Sequence, residues 1–184
     1  MRWIIVIAVS VLSLFAQSEW RVAQGSYGFY RVHADMFFFV DNWIEGKSDA
    51  VEGHVVLGED GYGDIRVGAG SFESGNGKRD SHVREILKAG SYPHVVFHLV
   101  SVQGIGMDGA GEGEATGTLT LHGVSQPVRF PVRWVYGEGT LTLQGETVIR
   151  FDAFGLKPPT LGGGVIKEAD ENLTVGATII LAPY

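Results

Sequence analysis

Seven consecutive residues, Val128-Arg129-Phe130-Pro131-Val132-Arg133-Trp134, alternate without a fault between apolar side chains and arginine or proline. A period of two sends Val128, Phe130, Val132 and Trp134 to one face and Arg129, Pro131 and Arg133 to the other. This is a half-buried strand with a wet outer side. Leu173 to Ile179 repeats the pattern, as do Thr118 to His122 and Thr140 to Leu143. His54 to Leu57, Asp64 to Val67 and Val95 to Val102 are further apolar, β-branched runs. Turn punctuation separates them at Gly58–Gly61, Gly75–Gly77, the glycines from Gly104 to Gly113, and Gly137–Gly139. Such spacing predicts an all-β antiparallel fold, either a sandwich or a barrel. The 27 glycines are scattered without a period, which excludes collagen and points to turns and bulges.

One segment breaks the β pattern. Asp80 is placed as an N-cap, and Val83, Ile86 and Leu87 then share one helical face. Gly90 supplies the stop, with Pro93 behind it. The short helix needs something to cover, and the open end of a barrel suits its apolar stripe.

The N-terminus reads as a leader. Met1-Arg2 is followed by 14 uncharged residues, Trp3 to Ala16, and then by Gln17-Ser18-Glu19. That layout predicts a signal peptide over 1–16, one mature domain over 17–184, and a periplasmic or secreted protein. The run is shorter than the roughly 20 apolar residues a membrane span needs, so no stable transmembrane span is expected after cleavage. The chain lacks cysteine, which removes disulfides, thiolate nucleophiles and cysteine-based metal sites. A formal charge of −7 argues against a nucleic-acid partner.

Several motifs weaken on inspection. Gly104-Ile105-Gly106-Met107-Asp108-Gly109 matches G-x-G-x-x-G, but Ala110-Gly111-Glu112-Gly113 follows where a helix is required, so a hairpin loop is expected. Of the six histidines, His94 and His98 are four apart, which on a strand separates them by about 13 Å. They cannot share one ion, and the histidines are read as solvent-facing strand residues with no metal site. Arg79-Asp80-Ser81-His82 is the densest polar cluster. Asp80 orienting His82 as a general base is the enzymatic reading; Asp80 capping the helix is the structural one, and it is preferred.

Aromatics carry more information than these motifs. Phe37, Phe38, Phe39, Trp43, Phe72, Phe97, Phe130, Trp134 and Phe151 are spread over successive strands. In a sandwich they would interdigitate into a solid core; in a closed sheet of about eight strands they can line a cavity. Periodicity alone leaves both open.

A resemblance separates them. Ser74-Gly75-Asn76-Gly77-Lys78-Arg79-Asp80-Ser81-His82-Val83 resembles the "TGn…RDxHL" stretch of the YceI-like family of secreted lipid-binding proteins. Tyr92 to Phe97 is similar to its "fP-x-i-x-F" strand, and Gly117 to Val128 to its "GdLTihGvTkpV" hairpin. Phe154-Gly155-Leu156-Lys157-Pro158-Pro159 and Ala169-Asp170-Glu171 are similar to its C-terminal region. The resemblance implies an antiparallel lipocalin-like barrel of about eight strands, with one short helix capping an end and a hollow interior. It also implies an exported carrier, not an enzyme, that holds a polyisoprenoid or similar long-chain apolar lipid. No cofactor is required, although an isoprenoid quinone is compatible with the same site, as is a homodimer. A ligand-free, solid-cored envelope adaptor is the alternative.

On that reading, alternation selects the ligand-binding residues. They are Phe37, Phe39, Val55, Leu57, Ile65, Val67, Phe97, Leu99, Leu119, Leu121, Phe130, Val132 and Trp134 from the strands, with Val83, Ile86 and Leu87 from the helix.

Overall fold

The computed structural model describes residues 18–36, 40–58, 61–157 and 171–184. The leader segment, Phe37 and Phe39 lie outside the described residues. Ten segments form one antiparallel sheet: β1 (Ser18–Val22), β2 (Tyr27–Met36), β3 (Val40–Ser48), β4 (Val51–Leu57), β5 (Tyr62–Gly68), β6 (His94–Gln103), β7 (Gly109–Leu121), β8 (Val124–Gly137), β9 (Thr140–Arg150) and β10 (Asn172–Pro183). Helix α1 (Gly77–Ile86) lies between β5 and β6.

The sheet runs β1-β4-β5-β6-β7-β8-β9-β10, and pairing of β10 with β1 closes it into an eight-stranded barrel. β2 and β3 prolong β1 and β4. Ser18↔Leu57 to Arg21↔His54, then Gly28↔Ser48 to Met36↔Val40, are two stretches of one long hairpin whose register slips by one residue between them. Gly25, at φ +94, turns the chain at that slip.

Two hairpins use two-residue turns with both residues in the left-handed region, His122-Gly123 (φ 37 and 90) and Glu138-Gly139 (φ 52 and 75). That geometry matches the twist of the flanking strands. It also corrects the expected position of His122, since β7 stops at Leu121. The imidazole leaves the strand surface and its Nε2 meets the Phe154 carbonyl at 2.7 Å.

The run Gly104–Gly113 is not all turn, because β7 begins at Gly109. A Cβ on Gly106 would lie 2.6 Å from the Trp134 ring, and one on Gly111 2.8 Å from it. These glycines form a bed for the indole, whose Nε1 donates to the Gly104 carbonyl at 2.8 Å.

The N-cap of α1 is Asn76, whose side-chain oxygen accepts from the amides of Lys78 and Arg79 at 3.1 and 3.2 Å. Asp80 sits one turn later. Only 7% exposed, it accepts from the amide and the hydroxyl of Ser74 and so ties down the preceding loop. The helix ends before Gly90. Lys88 takes φ 49, its amide donates to the Glu85 carbonyl, and the Ala89 amide donates to that of Arg84. That is a Schellman ending with lysine in the place glycine usually takes.

The barrel interior differs from end to end. Where β1 starts and β10 finishes, Trp20, Val55, Leu57, Leu99, Val102, Trp134, Leu141 and Leu181 pack into a solid cluster. Each indole buries roughly 150–250 Å², which at about 25 cal/mol per Å² makes the two tryptophans the main anchors of that end. Toward α1, Val32, Ile44, Leu121, Phe151, Leu156 and Leu173 form a second layer, and Val67, Phe72 and Leu87 a third.

Candidate functional site

Between these clusters and α1 the barrel is hollow, with a cavity of about 480 Å³. That volume falls within the ~300–1,000 Å³ common for small-molecule sites. Ten of the residues selected from the sequence line it: Ile65, Val67, Phe97, Leu119, Leu121, Phe130 and Val132 from the strands, and Val83, Ile86 and Leu87 from the helical segment. The rings of Phe97 and Phe130 meet edge to face at 5.2 Å.

Four selected residues do not line it. Val55, Leu57, Leu99 and Trp134 point inward as expected, but into the packed end, where the indoles and leucines leave no space. Alternation identifies the inner face without saying at which height along the axis it is filled. Trp43 departs further: it is 63% exposed and lies on the outside against His33 at 5.2 Å between ring centres.

Further lining residues come from strands that contribute none of the selected described residues. From β10 come Leu173, Val175, Ala177 and Ile179, although their alternation was legible. From β2 come Gly28, Tyr30 and Val32, and from β3 Ile44. The β2 pattern was obscured because its outer face is also aromatic, with the Arg31 guanidinium 5.0 Å over the Phe29 ring.

The cavity wall is apolar except at one mouth, where Asn76, Lys78, Arg79 and His82 reach it from the start of α1. Asn76 and Lys78 are exposed, so the cavity meets solvent there. Arg79 is held in place by Ser74, Nε to the hydroxyl and Nη2 to the carbonyl, both at 2.7 Å. Tyr30 lines the cavity, and its buried hydroxyl lies near Ser74 without a hydrogen bond of full geometry. Burial pushes its pKa above the ordinary phenol value, Arg79 nearby pulls the other way, and Asp80 raises it further.

His82 approaches Glu85 (Nδ1 to Oε2, 3.8 Å), while Asp80 is engaged by Ser74, so no Asp80–His82 dyad forms. On the outer face, His98 bonds Asp64 at 2.7 Å, and His94 lies 4.0 Å from Glu52. Among the described residues, no helix is long and apolar enough to cross a membrane.

The family model for the YceI-like domain matches residues 21–179, from within β1 to within β10. The chain belongs to the YceI-like family. This YceI-like chain is 29% identical over 152 residues to a UPF0312 protein of Pseudomonas putida, covering 77% of itself and 71% of that protein. Against a UPF0312 protein of Vibrio parahaemolyticus it is 30% identical over 124 residues, with 62% and 64% covered. Among solved structures, it superposes on a polyisoprenoid binding domain from Saccharophagus degradans with a TM-score of 0.71 at 12% identity, over 91% of this chain and 99% of that one. Burkholderia cenocepacia BcnA gives 0.64 at 19% identity, over 84% and 95%. At these identities the structures establish a shared barrel for the YceI-like chain, while its pocket wall is its own.

Proposed function

We propose that this protein is an exported carrier that holds a long apolar chain of isoprenoid type inside its barrel. The observation that carries this reading is the cavity itself, about 480 Å³ walled by valine, leucine, isoleucine and phenylalanine with polar groups only at one mouth. Each buried methylene contributes roughly 0.8 kcal/mol, so such a wall selects for chain length and branching by fit. The polyisoprenoid ligand named for the Saccharophagus degradans domain supports the same chemistry. The tail occupies the hollow, and a polar head sits near Tyr30, Lys78 and Arg79. Export, through cleavage of the 1–16 leader to the periplasm or beyond, is part of this proposal.

Binding, not catalysis, is the role the polar groups support, since Asp80 is committed to Ser74 and His82 is turned to Glu85. Native mass spectrometry of protein purified from its own host tests this, with a refolded, delipidated sample as reference. A discrete adduct, lost on organic extraction and absent from a folded Phe97→Arg variant, is expected. A bare mass in both samples would overturn the carrier in favour of a ligand-free adaptor.

A further inference from the structure

β8 and β9 are joined for only part of their length. They pair from Gly137↔Thr140 to Val132↔Gly145, and then both strands continue without pairing to each other, β8 to Val124 and β9 to Arg150. By contrast, β7 pairs with β8 down its whole length, as β9 does with β10.

The cause is in the sequence. Gly137 and Thr140 flank a two-residue turn and are a hydrogen-bonded pair, so Val135, Arg133 and then position 131 direct their amides toward β9. Position 131 is proline, and so is the next amide facing the same edge but one, position 127. Neither has a donor, and the ladder stops where the first one falls.

The foot of this unpaired seam opens on the cavity. Phe130 and Val132 on one side and Gly145 on the other line it. Gly28, Ala177, Gly145 and Val132 are register partners across β2, β10, β9 and β8, an inward row that runs from the cavity to the seam, with Val67 packed over Gly28 and Val132 over Gly145. On the outside, a groove touching Pro131, Glu146, Val132 and Gly145 meets the same point. Higher up, the turn Asp152–Phe154 packs between the two strands, held by Gln126, whose Nε2 donates to the Ala153 carbonyl at 2.7 Å.

Volume sets the need for such an opening. A cavity of about 150 Å³ holds a six-carbon ring, so about 480 Å³ holds roughly 20 carbon atoms. A longer chain must leave the barrel. We propose that the β8–β9 seam, kept apart by Pro127 and Pro131, is a lateral exit through which the distal end of a prenyl chain longer than the cavity passes to the outside. This deepens the carrier reading and rests on it.

Farnesol is shorter than the cavity's capacity, and solanesol is about twice it. Wild-type delipidated protein is expected to bind both. In Pro131→Val and Pro127→Val/Pro131→Val variants, hydrogen exchange at Glu146 and Val148 should slow as the seam zips. Affinity for solanesol should then fall by roughly tenfold or more while farnesol is unaffected. A zipped variant that binds solanesol like wild type would overturn the exit. If wild type binds neither alcohol, the carrier reading itself fails. A measurement without substitutions guards against variants that misfold or stay unzipped. Solanesol with a photoreactive diazirine at its distal end should label Pro131, Glu146 or Thr147 of the unmodified protein, and labelling confined to residues 76–82 would place both chain ends at the α1 mouth and remove the exit.

Discussion

The two ends of the barrel follow one rule of alternation and reach opposite outcomes. At the end away from α1, inward positions carry Trp20, Leu57, Trp134, Leu141 and Leu181, and the interior is solid. Toward α1, inward positions carry Val67, Phe97, Leu121 and Val175, which line the wall of a hollow interior. The same strands supply both levels: β8 gives Trp134 and Phe130, four residues apart, to the packed end and the cavity wall. Which face turns inward is decided by period; whether that face is filled is decided by side-chain volume against barrel radius.

Three substitutions probe this contrast, from the largest expected effect to the smallest. Trp134→Ala removes a packed indole, its hydrogen bond to Gly104 and the ring that Gly106 and Gly111 bed, and should cost about 3–5 kcal/mol in denaturant unfolding. A cost below ~1 kcal/mol would mean the packed end is not packed. Ala177→Leu puts volume into the hollow end, and should raise the stability of the ligand-free barrel by about 1.5 kcal/mol while, on the proposed carrier reading, reducing the prenyl length it retains. Destabilisation there would show that the hollow is narrower than its lining implies. Asn76→Ala deprives α1 of its cap, and about 1 kcal/mol should be lost, seen first as faster amide exchange in Lys78 and Arg79. If exchange in α1 is unchanged, the helix is held by its contacts with the barrel and not by its cap.

Much of this was legible beforehand. Seven of the strand segments fall on runs recognised from period and β-branching, and the helix was placed within a few residues. Its caps were misread because Asp80 and Gly90 have the right chemistry, while Asn76 and Lys88 occupy the right positions. β1, β2 and β3 escaped notice because both faces of β2 bear large side chains, Tyr30 inside and Phe29 outside, which erases a polar and apolar contrast. In the site, the selected residues of the helical segment line the cavity, and the described selected residues that do not line it all lie at the packed end. Height along the barrel axis depends on strand stagger, which a single strand's pattern does not contain. The glycines of β7 carried a clue to their use, since a long glycine-bearing strand opposite a tryptophan signals a ring laid flat on backbone.

Closure of the ring depends on its two outermost strands. Trp20 faces Pro183, Val22 faces Leu181, and the Tyr184 amide donates to the Glu19 carbonyl at 3.1 Å. Every other seam of the ring joins segments nearer to each other along the chain, so this one carries the greatest loop-closure entropy and is expected to form late in folding. Until it does, the molecule is a curled sheet with two bare edges and an apolar inner face open to water. The interval before the latch closes is therefore when the chain is most exposed to mispairing with another copy. It is also when a ligand could be wrapped rather than threaded, so the order of latching and loading sets how the cavity is first filled.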